Sequence, residues 1–299
     1  MDIALVTCRE LPTWEVDDRP LWRALQLRGV HVHHPAWDDE VDWAAYDGVV
    51  IRTTWDYWTR GAEFRAWLDR VASHPRLANP ADVLRWSLDK RYLRQLQALG
   101  VPVADTEWIA PGELPDLGAL LAQRGWRRAF LKPAFGASAS GTLRFDADAR
   151  GLESAGDHLR RHGHDVTMLL QPYLEAVETF GELSAIFFGG VFSHGVRKLP
   201  LAGDYRVQDD HGGTDAPYTF DEGERHLAAR ILDKARQALG LREPLLYARV
   251  DLLRDANGGL VLTELELVEP SLFFRHAPEA ADRMADVVVR WVREGRVGA

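Results

Sequence analysis

The chain has 299 residues, of which 46% are hydrophobic and 27% charged, as expected for a globular protein with room for two domains or one domain with an extra lobe. Its net charge of −9 argues against a nucleic-acid binder, which would need a basic face, and its single cysteine, Cys8, excludes an intramolecular disulfide and a cysteine-rich zinc site. Because neither a signal peptide nor an apolar run of roughly 18 residues is visible, we expect a cytoplasmic protein with no membrane partner.

The first 80 residues alternate between strand and helix patterns. Strands are predicted at 3–7, 30–34 and 48–52, and helices at about 18–28 and 63–73. This alternation favours an α/β layer with a mainly parallel sheet. Because such sheets bind ligands beyond the carboxyl ends of their strands, the segment from Arg52 to Tyr57 is a candidate binding edge.

A break at Asn79-Pro80 separates this lobe from the rest of the chain. We predict a helix from Ser87 to Leu99 with Lys90 in its first turn. The other predicted elements are strands at 126–132, 142–145, 166–171, 183–188 and 190–198 and helices near 152–161, 221–239 and 280–293. We therefore predict three domains, at 1–80, 81–170 and 171–299.

Three carboxylates cluster in the last strand pattern, which reads as a β-hairpin turning at Asn257-Gly258. That register places Asp251 opposite Glu264, and the alternation of side chains puts Glu264 and Glu266 on one face. Because opposed carboxylates repel, the cluster needs a cation, and oxygen ligands favour Mg²⁺ or Mn²⁺ completed by water and substrate phosphates. A solvated acidic face on an edge hairpin is the alternative.

A glycine- and serine-rich loop follows Lys132-Pro133. Small residues let backbone N–H groups approach phosphate oxygens, and Lys132 adds a fixed positive charge. The loop lacks the Lys-Ser/Thr ending of a P-loop, and it runs from strand to strand rather than from strand to helix. We expect a mobile hairpin that folds over a triphosphate, with an ordinary flexible turn as the alternative. Its candidate nucleotide-binding residues are Gly136, Ser138, Ser140 and Gly141.

Two further segments carry weaker signals. Gln171-Pro172-Tyr173-Leu174 leaves a strand at the expected junction between lobes, where free backbone groups could meet the edge of a purine ring. Arg197, Lys198 and Arg206 form a basic island in an acidic chain, which suits recognition of phosphate and carboxylate groups. Solvated surface pairs are the alternative for these basic residues.

Taken together, these ordered features resemble the ATP-grasp superfamily over almost the whole chain. Its members have an N-terminal substrate lobe and bind ATP between a small and a large lobe. The resemblance implies an α/β fold built of α+β lobes and an ATP-dependent carboxylate–amine ligase acting through an acyl phosphate. It also implies ATP and Mg²⁺ as cofactors, with Mn²⁺ as an alternative metal.

The resemblance further implies roles for individual residues. Lys90 and Lys132 would contact the ATP phosphates, Arg206 would hold the γ-phosphate, and the backbone of 171–174 would bind adenine. The ribose hydroxyls would bind to Glu182 or to Glu178, and the sequence leaves that choice open.

The catalytic centre implied by the resemblance lies on the hairpin. Asp251, Glu264 and Glu266 would bind two magnesium ions. Arg249 resembles the arginine that steadies the tetrahedral intermediate in D-alanine–D-alanine ligases.

Within the superfamily, the segments 51–57, 192–198 and 266–271 resemble D-cycloserine synthetase and its relatives. This implies an intramolecular cyclo-ligase of antibiotic biosynthesis that converts O-ureido-D-serine to D-cycloserine, releasing carbon dioxide, ammonia, ADP and phosphate. The substrate would be a small zwitterion. The candidate substrate residues are Arg52, Thr53, Trp55, Asp56, Tyr57, Arg197 and Ser271.

Two alternatives stay open at this point. The first is an intermolecular amino-acid or peptide ligase of the glutathione-synthetase or glutamate-adding type. The second is a non-catalytic nucleotide-binding module. Because the family is often dimeric or larger, a homo-oligomer is also expected.

Overall fold

The computed structural model describes residues 1–11, 16–136, 139–208 and 211–298. Their strands form one sheet of five strands and two sheets of four. Within these ranges, every helix is too short or too polar to cross a membrane.

The first sheet is parallel throughout, as the alternation of strands and helices predicts. Its strands are β1 (Asp2–Thr7), β2 (His31–His33), β3 (Gly48–Thr53) and β4 (Leu77–Ala78), in the order β2-β1-β3-β4. Helices α1 (Arg19–Leu27) and α2 (Gly61–Val71) accompany it. All six residues of β3 are buried, so the carboxyl end of this strand lies inside the protein.

The second sheet is antiparallel. Its strands are β5 (Glu107–Ile109), β6 (Arg128–Pro133), β7 (Leu143–Asp146) and β8 (Met168–Pro172), in the order β5-β8-β6-β7. The helices of this region are α3 (Ala81–Ser87), α4 (Tyr92–Ala98), α5 (Leu117–Arg124) and α6 (Ala149–His162).

The single helix predicted from Ser87 to Leu99 is wrong. Ser87 ends α3, and α4 begins only at Tyr92. The Asp89 side chain accepts a hydrogen bond from the Arg91 N–H at 3.0 Å, a local bond that competes with helix formation. Lys90 therefore lies in the connection, where its backbone N–H donates to the Ala134 carbonyl at 2.8 Å.

The third sheet carries the hairpin. Its strands are β9 (Glu182–Phe188), β10 (Val191–Leu199), β11 (Thr214–Tyr218), β12 (Tyr247–Arg254) and β13 (Leu260–Glu266), in the order β11-β10-β9-β12-β13. The helices here are α7 (Ala176–Thr179), α8 (Glu222–Leu239) and α9 (Ala280–Glu294). Helix α9 returns to pack on α1, where Arg28 bonds to Asp282 and Asp286.

The predicted hairpin is confirmed, but its predicted turn is wrong. Residues 255–259 connect the strands, and Asn257 lacks the positive φ that a type I′ turn requires. The Asp255 side chain instead accepts hydrogen bonds from the N–H groups of Asn257 and Gly259. The register shifts by one residue at Thr263, so that Asp251 still pairs with Glu264. The β-bulge thus restores the predicted opposition of the carboxylates.

Candidate active site

A cavity of about 530 Å³ contains most of the predicted site residues. The hairpin, strand β6 with the loop after it, and the segment 171–174 all contribute to its walls. Trp55 reaches it from beyond the carboxyl end of β3. Apolar side chains and several charged groups therefore face one cleft, as in sites for small ligands.

Asp251 is a buried carboxylate with several partners. Arg249 Nη2 lies 2.8 Å and Lys198 Nζ 3.5 Å from its Oδ2, and Ser184 donates to its Oδ1 at 2.5 Å. Burial opposes ionisation of this group, but the two basic side chains outweigh that effect and lower the pKa of Asp251 to about 2. Asp251 is therefore ionised at neutral pH.

Glu264 connects the hairpin to the glycine-rich loop through Lys90. Lys90 Nζ lies 2.8 Å from Glu264 Oε1 and donates to the Gly136 carbonyl at 2.7 Å. Burial of Glu264 is outweighed by the charges of Lys90 and Lys132, which lower the pKa of this carboxyl. Lys132 Nζ donates to the Thr263 carbonyl at 3.3 Å, and burial lowers the pKa of its ammonium group.

The negative charge of Glu266 is less well neutralised by basic neighbours than the charges of Asp251 and Glu264. Arg249 Nη2 lies 3.6 Å from its Oε1, and burial together with the neighbouring Glu264 raises the pKa of Glu266 to about 8. A divalent cation beside Glu266 would relieve this charge crowding.

The donor set of the hairpin suits Mg²⁺ that is bound partly by substrate phosphates. Within the described ranges, no three Asp, Glu, His or Cys side chains converge as a metal cage. Mg²⁺ is usually held by one or two carboxylates together with substrate phosphates. Carboxylates on a common strand face, in a cavity with basic side chains, fit that mode of binding.

The two candidates for ribose binding occupy different surroundings. Glu182 lines the cavity, where Lys198 Nζ lies 2.5 Å from its Oε2 and the Thr263 hydroxyl donates to its Oε1 at 3.0 Å. Glu178 pairs with Arg144 at 2.7 Å and does not line the cavity. The geometry therefore favours Glu182 for any contact with a ligand in the cavity.

The comparisons with known proteins agree with this arrangement. Residues 3–79 match the family model described as D-cycloserine synthetase DcsG, N-terminal domain. The cycloserine biosynthesis protein DcsG of Streptomyces lavendulae is 37% identical over 298 residues, covering 96% of this chain and 97% of that protein. The chain belongs to the D-cycloserine synthetase family.

Solved structures of relatives support the same conclusion. The crystal structure of D-cycloserine synthetase DcsG matches with a TM-score of 0.86 and 36% identity, covering 98% of this chain and 100% of that one. D-alanine–D-alanine ligase from Bacillus anthracis has the same fold, with a TM-score of 0.67 at 15% identity and coverage of 99% and 98%. The predicted ATP-grasp fold and the predicted class of ATP-dependent ligase are confirmed.

Most residues predicted to bind nucleotide face the cavity of this family member. Gly141 does not line it; its carbonyl accepts a hydrogen bond from His158 Nε2 at 2.8 Å. Ser138 lies outside the described residues. Arg206 lines the cavity and pairs with Asp204 at 2.7 Å. The predicted nucleotide-binding residues that line the cavity are Lys90, Lys132, Gly136, Ser140, Gln171, Pro172, Tyr173, Leu174, Glu182 and Arg206.

Of the predicted substrate residues, only Trp55 and Ser271 line the cavity. Arg52 is buried beneath it, bonded to Asp18 at 2.9 Å and to the Pro270 carbonyl at 3.0 Å. Tyr57 is also buried, packed against Phe64. These side chains are placed to support the site rather than to touch a ligand.

The other predicted substrate residues are held by protein partners. The Thr53 hydroxyl bonds to that of Thr7 at 2.8 Å, and Asp56 accepts from Trp37 Nε1 at 2.7 Å. The Arg197 guanidinium lies over the Phe180 ring at 5.9 Å. None of these three residues lines the cavity.

Sequence reasoning placed Lys198 in a basic island but chose Arg197 from that segment as the site residue, and it missed Glu269. Lys198 pairs with Glu182 across β9 and β10, so strand alternation could have shown that Lys198, and not Arg197, shares the face of Glu182. Glu269 follows β13 outside any periodic pattern, and no local signal identifies it. Its carboxyl is buried beside the cavity.

Proposed function

We propose that this protein closes the D-cycloserine ring from O-ureido-D-serine with consumption of ATP. The observation that carries the proposal is the 37% identity to DcsG over nearly the full length of both chains. A cavity of about 530 Å³ lined by both basic and acidic side chains supports it.

In this proposal the basic side chains of the cavity hold the triphosphate. Lys90 and Lys132 neutralise the phosphate oxygens. The loop containing Gly136 folds over the phosphates, and the bond between Lys90 and the Gly136 carbonyl keeps this loop next to them. Arg206 holds the γ-phosphate, and the backbone of 171–174 binds adenine. Glu182 takes the ribose hydroxyls.

Glu264 and Glu266, with Asp251, would hold Mg²⁺ between the hairpin and the phosphates. Bound there, the metal would neutralise charge on the transferring phosphoryl group. The raised pKa of Glu266, caused by burial and by Glu264, supports a cation at this position.

The chemistry proceeds in three steps on the substrate. Its carboxylate oxygen attacks the γ-phosphorus, which forms an acyl phosphate and releases ADP. The nitrogen bonded to the oxygen of the ureidooxy group then attacks the acyl carbon and expels phosphate, which closes the ring. Water removes the carbamoyl group as carbon dioxide and ammonia. Arg249 stabilises the negative charge that develops on the acyl oxygen.

We further propose the lobe division 1–80, 81–170 and 171–299 and a cytoplasmic location, where ATP is available. A homo-oligomer and the absence of a nucleic-acid partner stay predictions.

A substrate screen tests the proposed function. The purified protein is supplied with ATP, Mg²⁺ and O-ureido-D-serine as the sole amino acid, and ADP and D-cycloserine are measured. We expect both products without any added amine. ADP release that requires a second amino acid would instead identify an intermolecular ligase.

A further inference from the structure

Glu269 is a buried carboxylate whose side chain is only partly satisfied. It is 6% exposed and lines the cavity, and its Oε2 has no hydrogen-bond partner among the described residues. Trp55 Nε1 donates to the Glu269 backbone carbonyl at 3.3 Å, and the buried Tyr57 is a neighbour of the Glu269 carboxyl. One oxygen of this side chain is therefore buried at the cavity wall without a partner among the described residues.

Three of the other four carboxylates that line the cavity are closely paired, whereas Glu266 meets Arg249 only at 3.6 Å. Asp251 is paired with Arg249, Glu264 with Lys90, and Glu182 with Lys198. A buried carboxylate oxygen without a partner is costly, and native proteins keep such groups where a water, an ion or a ligand supplies the partner or where the group has a catalytic role. Burial raises the pKa of Glu269 to about 7, and a cationic donor at this position would favour the ionised carboxylate, which only accepts hydrogen bonds.

The surroundings indicate what kind of cation fits. Arg249 lies close enough to attract the Glu269 charge without forming an ion pair with it, and its Nη1 lies 3.4 Å from the Ser271 carbonyl. An anionic and a cationic group therefore face one cavity near Ser271. An α-amino acid carries the complementary pair, an ammonium group and a carboxylate on one carbon atom.

We propose that Glu269 binds the α-ammonium group of the substrate through Oε2, and that Arg249 binds the substrate carboxylate. This inference rests on the proposed function and adds to it the residue that selects an amino acid over a simple carboxylic acid. Trp55 acts as a positioning residue for Glu269 through its bond to the Glu269 carbonyl. A competing partner for Oε2 would be the metal ion.

The test compares two ligands and two proteins. Wild-type protein and Glu269→Gln are titrated calorimetrically, with a non-hydrolysable ATP analogue present, against O-ureido-D-serine and against 3-(ureidooxy)propanoate, which lacks the α-amino group. We expect wild-type protein to prefer the amino acid by about 10- to 100-fold, the range of a charge-assisted hydrogen bond. The preference should fall to near 1 in Glu269→Gln.

A preference that the substitution leaves unchanged, or loss of binding of both ligands, would overturn the proposal. If Glu269→Gln needed a higher Mg²⁺ concentration for turnover than wild-type protein, that would also overturn the proposal, because it would make Glu269 a metal ligand.

Glu224→Gln is the matched control. Glu224 is 8% exposed, but its carboxylate bonds to Tyr218, Arg254 and the backbone of Asp221. We expect Glu224→Gln to lower the melting temperature without changing the ligand preference. Glu269→Gln should melt at or above the wild-type temperature. A fall in melting temperature larger than that of Glu224→Gln would contradict an Oε2 without a partner in the ligand-free protein.

Failure of the proposed function can be told apart from failure of this inference. If wild-type protein binds neither ureido compound, the proposed substrate is wrong. The same two proteins are then titrated with D-serine and 3-hydroxypropanoate. A preference for D-serine that depends on Glu269 would support the ammonium site, and equal affinities or no binding would overturn it.

Discussion

Asp251 and Glu264 lie directly opposite each other on β12 and β13, yet each is neutralised by a different basic side chain. Arg249 lies 2.8 Å from Asp251, and Lys90 lies 2.8 Å from Glu264. The repulsion between opposed carboxylates is therefore offset once from within the hairpin and once from the connection between α3 and α4. Because Lys90 also holds the Gly136 carbonyl, Glu264 links the hairpin to the glycine-rich loop.

Glu264→Gln should reduce Mg²⁺-dependent turnover by at least about 100-fold, as expected when a charge-stabilising group is removed from an active site. The variant should stay folded by circular dichroism, because Lys90 keeps its bond to the Gly136 carbonyl. Glu153→Gln, at an exposed position on α6, is the control and should behave as wild type. Wild-type turnover in Glu264→Gln would mean that the hairpin does not carry the metal site.

Glu182→Gln and Glu178→Gln distinguish the two ribose candidates. Glu182 lines the cavity, whereas Glu178 is engaged by Arg144 outside it. We expect Glu182→Gln to raise the KM for ATP about tenfold, the effect of losing a charge-assisted hydrogen bond. Glu178→Gln should change that KM by less than about twofold. The reverse ranking in steady-state kinetics would assign the ribose to Glu178.

Asn79→Ala should destabilise the protein by about 3 kcal/mol, because its removal leaves buried backbone groups without partners. Asn79 is fully buried; its amide donates to the carbonyls of Tyr247 and Leu267 and accepts from the Leu246 N–H. Urea unfolding measures the change. Asn257→Ala, in the exposed hairpin turn, is the control, and a cost below about 1 kcal/mol for Asn79→Ala would contradict this role.

His34 should make the protein less stable in mild acid. Burial lowers its pKa from 6.5 to about 4. Between these values the unfolded chain binds the proton more strongly, so the stability from His34 is present above pH 6.5 and is lost as the pH falls towards 4. His34→Gln should reduce the loss of unfolding free energy between pH 7 and pH 5 by about 1 kcal/mol, allowing for partial exposure.

Urea unfolding at both pH values checks this prediction. His226→Gln, exposed on α8, is the control and should leave the pH dependence unchanged. The same pH dependence in His34→Gln and wild type would contradict the assignment.

Much of the fold follows from local patterns. The parallel first sheet and the hairpin were predicted because alternating hydrophobicity and turn residues act within short segments. The single helix predicted from Ser87 to Leu99 is wrong, since the Asp89 side chain interrupts it and the Lys90 N–H bonds to a distant loop. The bulge at Thr263 also escaped prediction, and it compensated for a wrong turn.

The candidate site was likewise predictable only in part. Residues predicted to bind nucleotide, such as Lys132 and Glu182, lie in recognisable segments, and they line the cavity. On the substrate side, Arg52 follows an apolar strand as an active-site residue would, but its partner Asp18 comes from a remote segment. Glu269 is distinguished only by its burial and by a side-chain oxygen without a hydrogen-bond partner among the described residues. Neither property is visible in the sequence.

The most direct test of the central claim follows oxygen from the substrate carboxylate to phosphate. O-ureido-D-serine labelled with ¹⁸O in its carboxylate is incubated with the purified protein, ATP and Mg²⁺, without any added amine. We predict one ADP and one D-cycloserine for each substrate consumed, and one ¹⁸O atom in each phosphate released. Unlabelled phosphate, or turnover only after a second amine is added, would contradict intramolecular ligation through an acyl phosphate.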